Sequence, residues 1–201
     1  MTEYINIKKS LINVNHSILV IIDIQDSFLE KYSDTVSIPL LEKTVWILKI
    51  AKQLNIPVVA MAEDIEHAGT LNQNILDGLP KATKIHNKDS FGLADQPEIL
   101  VDINTTGRKT AVLVGVETNV CVAQSALGLM ENGYHAVVLK DAVATTAGDD
   151  DVGLNRMSEA GAVISSVKAI VYEWLRSVSY SVEVYERDPS IENDIPDCLA
   201  L

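Results

Sequence analysis

The chain has 201 residues, a formal net charge of −12, 47% hydrophobic and 22% charged residues. Such acidity excludes the basic face that a nucleic-acid or anionic-membrane binder needs; the length suits one globular unit. The two cysteines, Cys121 and Cys198, are too few for a disulfide framework, and no CxxC occurs.

The predicted elements alternate. The start, MTEYINIKKS, is polar and carries no apolar leader, and no apolar run reaches the roughly 18 residues of a membrane span. A cytoplasmic protein with reduced thiols is the expectation. Ser17–Asp23 (SILVIID) reads as a buried strand ending in an acid, and Ile38–Leu54 has helical periodicity. Pro57–Ala62 (PVVAMA) is the next strand, Glu63–Pro80 a polar loop with at most one helical turn, and Thr83–His86 a short strand. Pro97–Asn104 reads as a helix stopped by Gly107. Ala111–Val116 is a strand, Glu117–Asn119 a tight turn, and the following helix runs to about Asn132. A strand from Ala136, a helix at Asp149–Ala160, a strand at Ala162–Ser165 and a helix at Val167–Ser177 complete the pattern.

Continuous apolar strands separated by helices predict a three-layer α/β/α fold with a five- or six-stranded, mostly parallel sheet. Residues 1–177 form the domain, and the acidic, proline-containing segment 178–201 reads as a C-terminal arm or tail. Ligands of such sheets sit outside the carboxyl ends of the strands. That rule gathers Asp23, the Glu63–Asp64 pair, the Glu117–Cys121 turn and Asp141 onto one edge.

Cys121 by itself reads as an inert buried thiol, and its place makes it the candidate nucleophile there, because a thiol in the first turn of a helix should ionise more readily than a free one. Asp23 is read as a turn or cap aspartate, or as the base that takes the thiol proton. Lys88, in NKDSFGLAD, is read as solvated surface or as a cation beside both. Cys198 reads as an incidental thiol. Other cysteine chemistries fail on spacing: Leu127 stands where a phosphate-cradling loop needs arginine, and His16, His67, His86 and His135 are scattered. Glu63, Asp64 and His67 make a weak metal set, so neither metal nor cofactor is expected.

Together these blocks resemble the isochorismatase-like superfamily of cysteine hydrolases, which includes nicotinamidases and N-carbamoyl amidases. ILVIIDIQDSF (Ile18–Phe28), NKDSFGLAD (Asn87–Asp95) and VGVETNVCV (Val114–Val122) carry the resemblance, and the likeness extends over Val14–Leu175. It implies catalytic roles for Asp23, Lys88 and Cys121, with Lys84 as the competing lysine. It also implies a cis Val116–Glu117 peptide and an oxyanion hole from the backbone N–H groups of Glu117 and Cys121. The implied reaction is hydrolysis of a C–N bond in a small amide or ureide through a thioester, with Asp23 as base in both halves. AEDIEHAGT departs from the nicotinamidase metal motif, and the presence of Cys121 argues against isochorismate as substrate. The form of these blocks is closest to uncharacterised isochorismatase domain-containing hydrolases. The rival readings are vinyl ether hydrolysis and a non-catalytic binding protein. Homo-oligomers are usual in the family, and Trp174, Leu175, Val178 and Tyr180 are candidate contacts, with Trp174 and Leu175 better suited to packing the last helix onto the sheet. A small-molecule substrate, with no nucleic-acid or membrane partner, completes the expectation.

Overall fold

A computed structural model describes residues 10–146 and 148–199. The polar start Met1–Lys9, residues 147, 200 and 201, and the side chain of Cys198 lie outside the described residues. Six strands form one sheet: β1 Ser17–Ile22, β2 Val58–Glu63, β3 Ile85–Lys88, β4 Thr110–Val116, β5 His135–Ala144 and β6 Val163–Ser165. All pairings are parallel, in the order β3-β2-β1-β4-β5-β6. Every residue of β1 and of β4 is buried. Strands covered on both faces need this unbroken apolar pattern rather than alternation.

The period of two divides the core. Leu19 and Ile21 of β1, with Val112, Val114 and Val116 of β4, face one cluster; Ile18, Val20, Ile22, Ala111 and Leu113 face the other. The first face is covered by α2 (Asp34–Gln53) and α8 (Val167–Leu175), and α4 (Gln73–Gly78) adds Ile75. The second is covered by α5 (Pro97–Thr105), α6 (Ala123–Glu131) and α7 (Asp150–Ala160).

Several stretches differ from expectation. Helix α2 begins at Asp34, four residues before Ile38, and carries Pro39 inside it. Pro39 is the sixth residue of the helix and has no N–H to give the Thr35 carbonyl, so the helix forgoes one intrahelical bond there. The loop after β2 contains two short helices, α3 (Ile65–Ala68) as well as α4. Asp141 does not reach the ligand edge. Strand β5 runs on to Ala144 through an irregularity between the pairs Leu113–Val138 and Gly115–Val143. Asp141 falls in that stretch, accepts a bond from Val167 N at 2.9 Å and pairs with Lys43 at 3.7 Å, tying α8 and α2 to the sheet.

Among the described residues beyond 177 the chain is mostly helical. Helix α9 (Val178–Arg187) buries Val184, and α10 (Ser190–Asn193) buries Ile191, whose carbonyl accepts a 2.8 Å bond from Trp46 Nε1. Trp174 and Leu175 are buried on the sheet, so they pack α8 and present no surface. Val178 is 82% exposed.

Candidate active site

Four neighbouring strands deliver one polar residue each to the same edge. Asp23 follows β1, Glu63 ends β2, Lys88 ends β3, and Cys121 lies beyond β4. Strand register aligns Glu63 with Lys88 and Ile22 with both Met61 and Gly115. Gly115 is needed at that crossing: its φ is +130°, and a Cβ there would lie 1.9 Å from the Ile22 carbonyl oxygen. Asp23 also takes a positive φ of 54°, which an aspartate adopts more readily than most residues.

Beyond β4 the Val116–Glu117 peptide is cis, as the resemblance implied. The turn is not the first turn of an α-helix. Thr118–Val122 is a π-helical turn in which the Glu117 carbonyl accepts from Val120 N at 3.2 Å and Val122 N at 3.0 Å. π-Bulges of this kind are frequent at functional sites. The Glu117 carboxylate accepts from Thr145 Oγ1 at 2.7 Å, Thr146 N at 3.2 Å and Tyr32 Oη at 3.2 Å, which braces the turn against the end of β5. Burial alone would raise its pKa, but these donors hold it below the usual carboxylate value.

Lys88 is fully buried and central. Its Nζ lies 3.0 Å from Asp23 Oδ2, 3.1 Å from Glu63 Oε2 and 3.7 Å from Cys121 Sγ, and it donates to the Ser90 carbonyl at 2.8 Å. Cys121 Sγ donates to Glu63 Oε2 at 3.2 Å. Lys84 is exposed near the opposite, N-terminal end of β3, away from this cluster.

Electrostatics follow from burial. Asp23 is pushed up to about 7 by desolvation, partly offset by Lys88 and reinforced by Glu63. Burial opposes a charge on Lys88 too, but Asp23 and Cys121 outweigh it and raise its pKa. The thiol moves against expectation. Burial, then the charge of Asp23, push Cys121 up to about 12, with Glu63 adding to the rise and Lys88 opposing it. A helix-start argument is local, and here two carboxylates and loss of water outweigh it. At rest the sulfur holds its proton, and the nearby carboxylates are placed to take it.

Asp23, Glu63 and Cys121 are the metal-type ligand group among the described residues, with ligand atoms within 4.8 Å of one another. The Lys88 ammonium already stands within 3.7 Å of all three and fills the place a cation would take. Asp64 and His67 turn out to solvent and pair with each other at 2.8 Å.

Two residues gain roles that sequence reading missed. Glu63 was weighed only as a metal ligand, yet its carboxylate touches the thiol. Gln25 is fully buried and clamps Glu63 through both main-chain groups: Glu63 N donates to Oε1 at 2.7 Å, and Nε2 donates to the Glu63 carbonyl at 2.8 Å. Nε2 also donates to the Gly69 carbonyl at 2.6 Å, which closes the loop after β2. The available signals were an acid ending the second strand and an amide two residues after Asp23.

The family model for the isochorismatase domain matches residues 17–169. Isochorismatase family protein 1A of Dictyostelium discoideum is 29% identical over 83% of this chain and 82% of its own. The secreted isochorismatase effector Isc1 of Phytophthora sojae is 32% identical, covering 78% and 76%. Three solved structures share the fold. The MAR1 ribonuclease of Caenorhabditis elegans has a TM-score of 0.80 at 23% identity, covering 94% of this chain and 95% of that one. The YcaC gene product of Escherichia coli, described as an octameric hydrolase of unknown specificity, has a TM-score of 0.79 at 23% identity, covering 90% and 93%. N-carbamoylsarcosine amidase of Thermoplasma acidophilum has a TM-score of 0.64 at 17% identity, covering 75% and 96%.

Proposed function

The chain belongs to the isochorismatase family of hydrolases, and from that premise we propose that it cleaves the C–N bond of a small amide or ureide through a thioester on Cys121. The observation that carries this reading is the setting of the sulfur, 3.2 Å from a carboxylate oxygen and 3.7 Å from a buried ammonium that also pairs with Asp23.

The roles are those the family resemblance implies. As the sulfur attacks the carbonyl carbon, Asp23 takes the thiol proton, and Lys88 stabilises the negative charge. The oxyanion is held by the backbone N–H groups of Glu117 and Cys121. Collapse breaks the C–N bond, Asp23 returns the proton to the leaving amine, and water later releases the acid and the thiol. A carboxylate with a pKa near 7 suits a group that gains and loses a proton around neutral pH. Vinyl ether hydrolysis needs no nucleophile, so the presence of Cys121 is the reason to prefer amide over vinyl ether hydrolysis. The chemistry needs a reduced thiol, which suits the cytoplasm.

We also read residues 178–201 as an arm on the 1–177 domain, and the protein as a homo-oligomer. Support comes from the octameric YcaC relative and from the exposed apolar Tyr172, Val178 and Val182 on α8 and α9. Size-exclusion chromatography with light scattering tests this, and a monomer at micromolar concentration overturns it. The test of the chemistry is an amide and ureide panel scored by product release and by intact mass. An acyl adduct on Cys121 supports the thioester route, and undiminished turnover by Cys121→Ala ends it.

A further inference from the structure

We propose that Glu63 is a fourth catalytic residue, dividing the acid–base work with Asp23: Asp23 serves the formation of the acyl-enzyme and Glu63 its hydrolysis. The inference rests on the thioester reading above and assigns to Glu63 the step that the family resemblance gives to Asp23.

The two carboxylates differ in their access to water. The side chain of Asp23 is 1% exposed, whereas that of Glu63 is 25% exposed. A water approaching the acyl carbon from solvent therefore meets Glu63 first. Glu63 is also the carboxylate that accepts the thiol's hydrogen bond, at 3.2 Å, so it already lies beside the reacting sulfur.

Acylation then frees it. In the resting enzyme Glu63 Oε2 accepts from both Cys121 Sγ and Lys88 Nζ. Once the sulfur carries an acyl group it has no proton to donate, and Oε2 keeps only Lys88. One acceptor site opens beside the thioester at the moment a water needs a base. The water oxygen bonds to the carbonyl carbon as its proton passes to Glu63. The tetrahedral intermediate collapses, the C–S bond breaks, and the proton on Glu63 returns to the sulfur.

The carboxylate is held for this task. Gln25 binds both main-chain groups of Glu63, and Asp64 N donates to the Lys88 carbonyl at 3.0 Å. Lys88 opposes Glu63 in the β2–β3 register. A residue serving only as a solvated loop acid needs no such clamp.

The test uses the full chain and p-nitrophenyl acetate, whose acetyl group transfers to a reactive thiol with release of p-nitrophenol. Wild type should give a burst of p-nitrophenol followed by steady turnover. Glu63→Gln should keep the burst and slow the second phase about 10²- to 10³-fold, with an acetyl adduct on Cys121 accumulating in the intact mass. Glu63→Asp, which keeps the charge but withdraws it by one methylene, should give an intermediate second phase. A Glu63→Gln second phase equal to wild type overturns the proposal, and so does loss of its burst with the fold intact by circular dichroism. Should the glutamine variant fail to fold, a wild-type second phase in Glu63→Asp overturns it instead. If wild type itself shows neither burst nor adduct, the cysteine reading fails and this assignment falls with it.

Discussion

Two lysine–aspartate pairs stand beside the same sheet and do opposite things. Lys43 and Asp141 lie 3.7 Å apart with side chains 13% and 21% exposed. Asp141 is answered by ordinary donors, the Val167 amide and the lysine, and Lys43 also bonds the Asp141 carbonyl at 3.0 Å. Lys88 and Asp23 lie 3.0 Å apart with essentially no exposure, and the lysine is shared with a second carboxylate and a thiol. The first pair has nearly as many donors as acceptors, so it ties helices to strands. The second gathers two carboxylates and a thiol around one ammonium, which leaves a proton to be passed among them. Polar burial marks function where the charges are crowded and leave protonation unsettled, not merely where they are paired.

The sharpest way to break this contrast is to remove the sulfur that the proposed chemistry uses as its nucleophile. Cys121→Ala should lower turnover at least about 10³-fold on any substrate that wild type hydrolyses, with the fold unchanged by circular dichroism. Asp23→Asn should cost about 10²- to 10⁴-fold in kcat/KM. In wild type the base must be ionised, so kcat/KM should rise with pH through about 7 and then level off. The asparagine variant should lose that limb, and a limb that survives in it would assign the titration elsewhere. Stability gives an independent reading with a definite sign. The folded pKa of Asp23 is raised from 3.8 to about 7, so its favourable contribution is complete below pH 3.8 and is lost as pH rises through 7. Wild type should therefore lose stability relative to Asp23→Asn between about pH 4 and 7.

Much of the buried Lys88 cluster is legible in the sequence, because its parts obey local rules. The unbroken apolar runs of β1 and β4 announce parallel strands, and the residue that follows such a strand falls on the ligand edge. Asp23 and Cys121 were placed by that logic alone. Lys88 was harder. The β3 residues Ile85–Lys88 are mostly polar, and their extent is set by pairing with β2 rather than by their own pattern. Reading the strand two residues early leaves Lys88 in a loop, and the loose match of its block keeps Lys84 in contention. The thiol's raised pKa and the grip of Gln25 on Glu63 depend on side chains brought together from separate strands, which no window of sequence contains. Asp141 misled for the same reason: a register irregularity in β5 moved it off the edge. The helix α9 was missed because its polar composition hid the buried Ser181 and Val184.

Stability should separate the two pairs directly. Lys88→Met strips Asp23 and Glu63 of their shared cation inside the protein, and breaking a buried pair in this way costs about 3–5 kcal/mol. Lys43→Met removes a partner from the rim, and the loss should be no more than about 1 kcal/mol. Urea denaturation of both variants at pH 7 checks the ratio, and equal losses would erase the distinction drawn between the pairs. Asp141→Ala should fall between them, at about 1–2 kcal/mol, because it leaves the Val167 amide without its acceptor. Its kcat should match wild type if this pair is structural.

The smallest expected effect is at the competing lysine. Lys84 precedes β3 and is exposed, whereas Lys88, four residues on, is buried at the other end of the strand. A β-strand rises about 3.3 Å per residue, so four residues put the two α-carbons roughly 13 Å apart. At that distance across solvent-exposed surface, a charge is largely screened at physiological salt. Lys84→Ala should leave kcat/KM within twofold of wild type and stability within about 0.5 kcal/mol. The comparison with Lys88→Met then decides which lysine the chemistry uses. A collapse of activity in Lys84→Ala with an active Lys88→Met would reverse the assignment, because the ammonium nearest the thiol would then be dispensable.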